Sequence, residues 1–169
     1  MSSAFQIGRI AGIPIRLHIT FLAIIPFVAY VFTTFTQAFP INIFGGVYDF
    51  AYGFGAVEPP GTKWAYSFAF SILLFMCVAL HELGHSFVAM RYGIKIRSIT
   101  LYIFGGVASM EDIPRNPRME ARMAVAGPSV SGIIGIGCAL LSIQSAVLLG
   151  GGHPLTTLLW TLGVINIVL

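Results

Sequence analysis

The chain has 169 residues, of which 57% are hydrophobic and only 9% are charged, and its mean hydropathy is +0.89. A soluble domain carries about one quarter charged residues, so this composition excludes an ordinary soluble domain and favours a protein with several membrane spans. The net charge of +3 requires no nucleic-acid partner, because basic loops on one side of a membrane account for it.

Four apolar segments follow one another along the chain and predict a mainly α fold, a bundle of about four transmembrane helices. A helix needs about 20 apolar residues to cross a bilayer at ~1.5 Å per residue. The segments lie at 17–35, 64–90, 123–149 and 155–169. The last segment is too short to span, so we expect the chain to be a fragment of a longer protein or to be cut within a span.

The two long connections between these segments differ in character. Residues 36–63 are rich in Gly, Pro and aromatic side chains, which favour the membrane–water boundary, and they predict a surface-lying or re-entrant loop. Residues 94–110 are rich in β-branched and aromatic residues, and apolar and basic residues alternate at 94–97. This second pattern predicts a short strand or hairpin.

Basic residues are concentrated on one side of the predicted topology. If the N-terminus is cytoplasmic, eight of the nine Lys and Arg residues fall on the cytoplasmic side: Arg9, Arg16, Arg91, Lys95, Arg97, Arg115, Arg118 and Arg122. Cytoplasmic loops of membrane proteins carry such an excess. We therefore expect an integral, multi-pass membrane protein whose N-terminus faces the cytoplasm.

An HExxH motif, formed by His81, Glu82 and His85, lies toward the cytoplasmic end of the second apolar segment. The histidines are four residues apart, so on a helix they lie one turn apart on one face and can hold one zinc ion. Glu82 lies beside that face, where it can take a proton from zinc-bound water. Because ionisable residues are costly inside a membrane, the motif indicates a functional site rather than a polar cluster that pairs helices.

A catalytic zinc ion needs a third protein ligand, and several candidates fit poorly. Cys77 lies on the same helical stripe but about 12 Å from His85 along the axis. We interpret Cys77 and Cys138 as core residues rather than as a disulfide or a zinc clip. His153 is expected on the opposite side of the membrane. His18 has a suitable depth but is better explained as an interfacial residue.

The remaining candidates point beyond the end of the chain. Glu111 and Asp112 are on the appropriate side but lie in a polar loop. A residue of the fourth segment at the depth of His81 would fall at about position 172 or later, counted by helix rise. We therefore expect the third ligand beyond Leu169.

Five segments of the chain, taken in order, carry a pattern more specific than HExxH alone. They are GIPIRLHITF (12–21), HELGHSFVAMRYGIKI (81–96), FGGVASME (104–111), AGPSVSG (126–132) and LWTLGVINIVL (159–169). Together they resemble the site-2 proteases, a family of intramembrane zinc metalloproteases. The last segment looks like the approach to the family's Asn-Pro and Asp-Gly motif, which carries an aspartate as the third zinc ligand.

The resemblance implies that residues 1–169 are the N-terminal part of an intramembrane metalloprotease core, cut before the Asp-Gly motif. It implies an endopeptidase that hydrolyses peptide bonds within or near transmembrane segments of other proteins, in regulated intramembrane proteolysis. One catalytic zinc ion would be held by His81 and His85, with Glu82 as the catalytic base. The implied partners are a transmembrane protein substrate and the lipid bilayer.

Several residues of the matching segments keep more than one interpretation. Ser131 stands where many relatives carry Asn, so we assign no substrate-binding residue. Gly127 and Pro128 indicate a kink or a close helix contact. Asn166 is explained by hydrogen bonding between helices, with a role near the substrate as the alternative. The strand at 94–110 either packs its loop against the helices or offers an edge to an unwound substrate.

Two functions of other classes also fit an HExxH helix in a membrane. In a metal transporter or channel, the three motif residues would line a path for the ion. Such a protein would be expected to carry further polar residues on its other spans, whereas the other three segments of this chain are nearly all apolar. A catalytically inactive relative would bind membrane proteins without cutting them. The oligomeric state is left unassigned.

Overall fold

The computed structural model describes residues 4–102, 105–110 and 116–169. Its elements, in chain order, are β1 (Ala4–Ile10), β2 (Ile13–His18), α1 (Ile19–Thr34), β3 (Gln37–Ile43), β4 (Gly46–Tyr52), α2 (Pro60–Arg91), β5 (Ile96–Tyr102), β6 (Gly105–Met110), α3 (Pro117–Leu149) and α4 (Pro154–Val168). The fold is mainly helical with small sheets, which confirms the predicted class at that level.

Each of the four predicted apolar segments corresponds to one helix, and the main differences lie at the helix starts. α2 begins at Pro60 and α3 at Pro117, four and six residues before the apolar segments at 64–90 and 123–149. Proline suits the first position of a helix, because the N–H that it lacks would have no partner in the helix there. Asn116 caps α3: its side-chain oxygen accepts hydrogen bonds from the backbone N–H groups of the second and third residues of the helix, at 3.1 and 3.3 Å.

Two of the described helices could cross a membrane by length and composition. α2 has 32 residues and α3 has 33, and both contain long apolar stretches. α1 and α4 are apolar but shorter, with 16 and 15 residues. The prediction of about four spans therefore stays a prediction.

The chain divides into two compact units, whose boundaries fall within α1, α2 and α3. The first unit comprises Met1–Ile24 and Phe75–Ser131, and the second comprises Ile25–Leu74 and Gly132–Leu169. Each unit contains one of the two sheets.

The first unit contains a four-stranded sheet with the order β1-β2-β5-β6. Strands β2 and β5 pair in parallel, with Ile15 opposite Ile99, and the other pairs are antiparallel. Alternate side chains of the two central strands are buried, as expected for one covered face: Ile13, Ile15, Ile99 and Leu101. The β5–β6 hairpin confirms the strand or hairpin predicted at 94–110, whereas β1 and β2 were not predicted.

The sheet changes which strand could offer an edge to a substrate. β5 already pairs with β2 on one side and with β6 on the other. The ladder groups of its central residues, 99–101, are therefore used on both sides. Among the described strands, the edge on this side of the sheet belongs to β6 and not to β5.

The second unit contains an antiparallel hairpin, β3–β4, in the region predicted as a surface-lying or re-entrant loop. The hairpin turns at Phe44 and Gly45, whose positive φ angles of 50° and 81° match a two-residue type I′ turn. Its base packs on α4: Phe50 is fully buried, and its ring centroid lies 4.8 Å from that of Trp160. A side chain at Gly151 would collide with the backbone of Asp49, so the glycine permits this contact.

Candidate active site

The two histidines of the HExxH motif face each other on α2. The Nε2 atoms of His81 and His85 are 3.1 Å apart, and the ring centroids are 4.9 Å apart with an interplanar angle of 75°. This arrangement follows from the four-residue spacing, which places the side chains one turn apart on one helix face. The structure therefore brings together the two predicted metal ligands.

The outer nitrogen of each imidazole is bonded to α3. His85 Nδ1 lies 2.6 Å from the backbone oxygen of Met123, and His81 Nδ1 lies 2.9 Å from Ser131 Oγ. A carbonyl oxygen only accepts hydrogen bonds, so His85 Nδ1 donates. In the neutral ring, His85 Nε2 then carries the lone pair and points toward His81.

Glycines allow α2 and α3 to approach closely at this point. A Cβ on Gly84 would lie 2.9 Å from the carbonyl oxygen of Ala126. A Cβ on Gly127 would lie 2.6 Å from His81 Nε2 and would also collide with His85 Nε2. The close helix contact predicted at Gly127-Pro128 is thus present, and both imidazoles project into the space that the missing side chain of Gly127 leaves. Pro128 lies inside α3.

Glu82 lies beside the histidines, at a cavity bounded by α2, β6 and α3. The cavity volume is about 410 Å³, and it is lined by Glu82, His85, Gly106, Val107, Ala108, Met110, Met123 and Ala124. A Cβ on Gly106 would collide with the Glu82 side chain. The glycine-bearing segment of β6 therefore leaves the room that the Glu82 carboxylate occupies.

The donor set fits a zinc ion. Two nitrogens bound to one tetrahedral zinc at 2.0–2.1 Å would be about 3.3 Å apart, close to the observed 3.1 Å between the Nε2 atoms. Hydrogen-bonded outer nitrogens are what zinc-binding histidines almost always show, because such bonds fix the ring and the tautomer. Within the described residues, no group of three or more His, Cys, Asp or Glu side chains is arranged to hold a metal.

The other candidates considered for the third ligand have local roles where they are described. His18 precedes α1, accepts a hydrogen bond from the N–H of Thr20 at 3.3 Å and packs against the ring of Tyr102. His153 is the N-cap of α4, and its Nδ1 atom accepts a hydrogen bond from the backbone N–H of Leu155, the second residue of that helix. Cys77 is buried in α2.

Two further expectations concern acidic and amide groups. Glu111 and Asp112 lie outside the described residues. Asn166 is 1% exposed, and its side-chain nitrogen donates to the carbonyl oxygen of Leu162, one turn earlier in its own helix. This is an intrahelical bond, whereas the sequence suggested bonding between helices. The amide oxygen of Asn166 has no hydrogen-bond partner among the residues that the structure describes.

Sequence reasoning did not find the groups of α3 that hold the imidazoles. The carbonyl of Met123, the bare Cα of Gly127 and the hydroxyl of Ser131 occupy positions i, i+4 and i+8 on one stripe of α3. That spacing is the available signal, since it matches the four-residue spacing of the histidines on α2.

Comparison with known proteins places this geometry in a family. The sequence profile of Peptidase family M50 matches residues 69–167. A zinc metalloprotease of Methanocaldococcus jannaschii is 38% identical over 169 residues, covering 100% of this chain and 40% of the relative. A putative zinc metalloprotease of Synechocystis is 31% identical over 173 residues, covering 100% of this chain and 39% of the relative.

A solved structure is also similar. The site-2 protease from Methanocaldococcus jannaschii superposes with a TM-score of 0.57 at 34% sequence identity, covering 98% of this chain and 64% of that one. The chain thus spans about two fifths of the length of the curated relatives it matches.

Proposed function

Because the chain belongs to Peptidase family M50, the site-2 proteases, we propose that it is the N-terminal part of an intramembrane endopeptidase. The proposed reaction is hydrolysis of peptide bonds within or near the transmembrane segments of other proteins. The observation that carries the proposal is the pair of Nε2 atoms 3.1 Å apart, each on a ring whose outer nitrogen is hydrogen-bonded, beside the cavity lined by Glu82.

In the proposed mechanism, His81 and His85 would hold one zinc ion through Nε2, and the third ligand would lie downstream of Leu169. When bound, the ion would supply a Lewis acid that polarises the scissile carbonyl and lowers the pKa of a water. Glu82 is placed to accept a proton from the water as its oxygen bonds the scissile carbonyl carbon, and to donate that proton to the amine nitrogen as the C–N bond breaks. The carboxylate is suited to this role because it borders the same cavity as His85.

The proposed setting is a bilayer with about four spans in this part of the chain and a cytoplasmic N-terminus. Two apolar helices of 32 and 33 residues support the membrane setting, and the bias of basic residues supports the orientation. A polar cavity must then admit water from the cytoplasmic side to the HExxH helix.

Substrate recognition is proposed to use the edge of β6. A transmembrane helix hides its peptide bonds in its own hydrogen bonds and must unwind to be cut. An unwound segment could pair with β6 by strand addition, and Gly106, Val107 and Ala108 of β6 line the cavity beside Glu82.

Val107→Lys places a charge on the edge of β6 and should lower cleavage, because edge lysines oppose strand pairing. Ile7→Lys is the matched control, since Ile7 on β1 and Val107 are both 56% exposed. Equal cleavage by the two variants would count against the β6 edge.

The test of the function is cleavage of a single-span test substrate by the protein in detergent, at its natural length. Glu82→Gln and a zinc chelator should each abolish cleavage, while Glu120→Gln, at an exposed position of α3, should not. Cleavage that survives Glu82→Gln would remove the mechanism. If the wild type cleaves no substrate, an inactive relative that binds membrane proteins, or a metal transporter, becomes the better reading.

A further inference from the structure

Among the described residues, Ser131 is the one hydrogen-bond partner of the outer nitrogen of His81. Its Oγ lies 2.9 Å from His81 Nδ1, and the residue is fully buried. Serines in helices often bond a carbonyl of their own helix, as Ser129 does with Val125 at 2.8 Å. Two residues further along α3, the hydroxyl of Ser131 is instead directed at the HExxH helix.

The hydrogen bonds of the two imidazoles form a continuous chain with one adjustable end. His85 Nδ1 donates to the carbonyl of Met123, so His85 Nε2 accepts. In a metal-free pair of neutral rings, His81 Nε2 then donates across the 3.1 Å gap, and His81 Nδ1 accepts from the hydroxyl of Ser131. Every nitrogen of the pair is satisfied in this arrangement.

Metal binding requires the other tautomer of His81. When both Nε2 lone pairs point at a metal, the proton of His81 must be on Nδ1, and Ser131 Oγ must accept. A hydroxyl can do both, because it carries one donor and two acceptor lone pairs and rotates freely. Rotation of one hydroxyl therefore accommodates both tautomers of His81 without movement of α2 or α3.

We propose that Ser131 is a positioning residue that satisfies His81 Nδ1 in both tautomers and thereby sets the metal affinity of the His81–His85 pair. The inference rests on the proposed function, since it assumes that the two Nε2 atoms hold a metal. It deepens that function by assigning a role to a residue for which the sequence offered none.

The experiment measures zinc affinity by competition with a chelator of known affinity, on the protein purified in detergent at its natural length. Ser131→Ala should weaken zinc binding by about 10- to 100-fold, the usual effect of removing a partner of a metal-binding histidine. Ser131→Thr keeps the hydroxyl and should restore most of the affinity. Ser129→Ala is the matched control, because it removes a serine hydroxyl two residues away that donates to the carbonyl of Val125 in its own helix.

Thermal unfolding of the same variants in excess chelator separates positioning from packing. An affinity loss in Ser131→Ala with an unchanged metal-free unfolding temperature supports the inference. Zinc affinity equal to the wild type in Ser131→Ala overturns it. An affinity loss accompanied by lower metal-free stability, and not restored by Ser131→Thr, also overturns it in favour of a packing role. If the wild type itself binds no zinc, the proposed function fails first, and the inference with it.

Discussion

The α2–α3 contact of the first unit and the α3–α4 contact of the second use the same device to bring helices together. In each, a glycine takes a place where a side chain would hold the backbones apart: Gly84 beside Ala126, and Gly135 beside the backbone of Ile167. In the first contact, the space at Gly127 is filled by two imidazoles, whereas the space at Gly135 is filled by backbone and aliphatic atoms.

The difference lies in what the polar groups bond to. Small residues favour close helix packing in membranes whatever the function, so glycine spacing predicts proximity and not chemistry. In the α2–α3 contact, α3 supplies a partner to each imidazole, which leaves both Nε2 atoms directed at a common point. In α4, Asn166 bonds its own helix. A candidate site arises at the α2–α3 contact because α3 hydrogen-bonds the Nδ1 atom of each imidazole of α2 and leaves the Nε2 atoms available to a ligand.

The largest effect is expected from filling the space at Gly127. Gly127→Ala places a Cβ against both Nε2 atoms, so the imidazoles cannot keep their present positions. Misplacement of ligands by about 1 Å can cost 100-fold or more in function, and we expect a loss of zinc affinity and of cleavage of at least that size. Chelator competition measures the affinity.

Gly132→Ala is the matched control for this change. A Cβ at Gly132 meets nothing within 4 Å, although the residue lies on the same helix five positions further on. This variant should bind zinc and cleave like the wild type. Wild-type affinity in Gly127→Ala would mean that α3 does not approach the imidazoles as closely as described.

The sequence predicted the helices of the fold but, apart from the β5–β6 hairpin, not the pairing of its strands. Long apolar runs located all four helices, because span length and hydrophobicity are local properties. The β2–β5 pairing joins residues more than 80 positions apart, such as Ile15 and Ile99, and no local pattern announces it. The β3–β4 hairpin was missed because Pro40 and paired glycines interrupt the strand pattern, although the edges of a two-stranded sheet tolerate proline.

For the candidate site, the sequence predicted the residues of one helix but not their partners. His81, Glu82 and His85 are a local motif whose chemistry follows from helical spacing. Their hydrogen-bond partners on α3 are a backbone carbonyl and one of several serines of that helix, and neither has a chemical signature of its own. Only the packing of α2 against α3 distinguishes Ser131 from Ser129, since one hydroxyl reaches an imidazole and the other its own helix.

A smaller and more selective effect is expected at Gly106. Gly106→Ala places a Cβ against the Glu82 side chain. The three atoms nearest to this Cβ belong to Glu82 and Leu101, and none belongs to an imidazole. We expect kcat to fall by about 10- to 100-fold while zinc affinity is kept, because a displaced general base loses its usual 10²–10⁴-fold contribution only in part. Gly8→Ala, on β1 of the same sheet and open to space, should leave both quantities unchanged. A parallel loss of zinc affinity would show that β6 supports the whole site rather than Glu82 alone.

The α3–α4 contact should respond in stability and not in chemistry. A Cβ on Gly135 would lie 2.7 Å from Ile167 Cγ1 and 2.9 Å from its backbone nitrogen. Overpacking of this kind costs about 1–3 kcal/mol, so Gly135→Ala should lower the free energy of unfolding by that amount in a detergent titration. The remaining folded protein should bind zinc as the wild type does. Gly137→Ala, where a Cβ meets nothing within 4 Å, should be neutral or stabilising by up to about 1 kcal/mol through helix propensity. Equal stability of the two variants would contradict the close approach at Gly135.

The smallest effect is expected from the polar bond between α3 and the start of α4. Ser145 Oγ lies 2.7 Å from Thr156 Oγ1, which also donates to the carbonyl of Gly150 at 3.1 Å. Ser145→Ala therefore removes one bond but leaves the threonine hydroxyl a partner, and bonds between membrane helices are worth about 0.6 kcal/mol on average. We expect a loss of that order in the free energy of unfolding, with zinc affinity unchanged. Ser142→Ala is the control, because the Ser142 hydroxyl donates to the carbonyl of Ala139 in its own helix. A loss of several kcal/mol in Ser145→Ala, but not in Ser142→Ala, would mean that the α3–α4 contact depends on its polar groups as the α2–α3 contact does. The proposed difference between the two contacts would then be wrong.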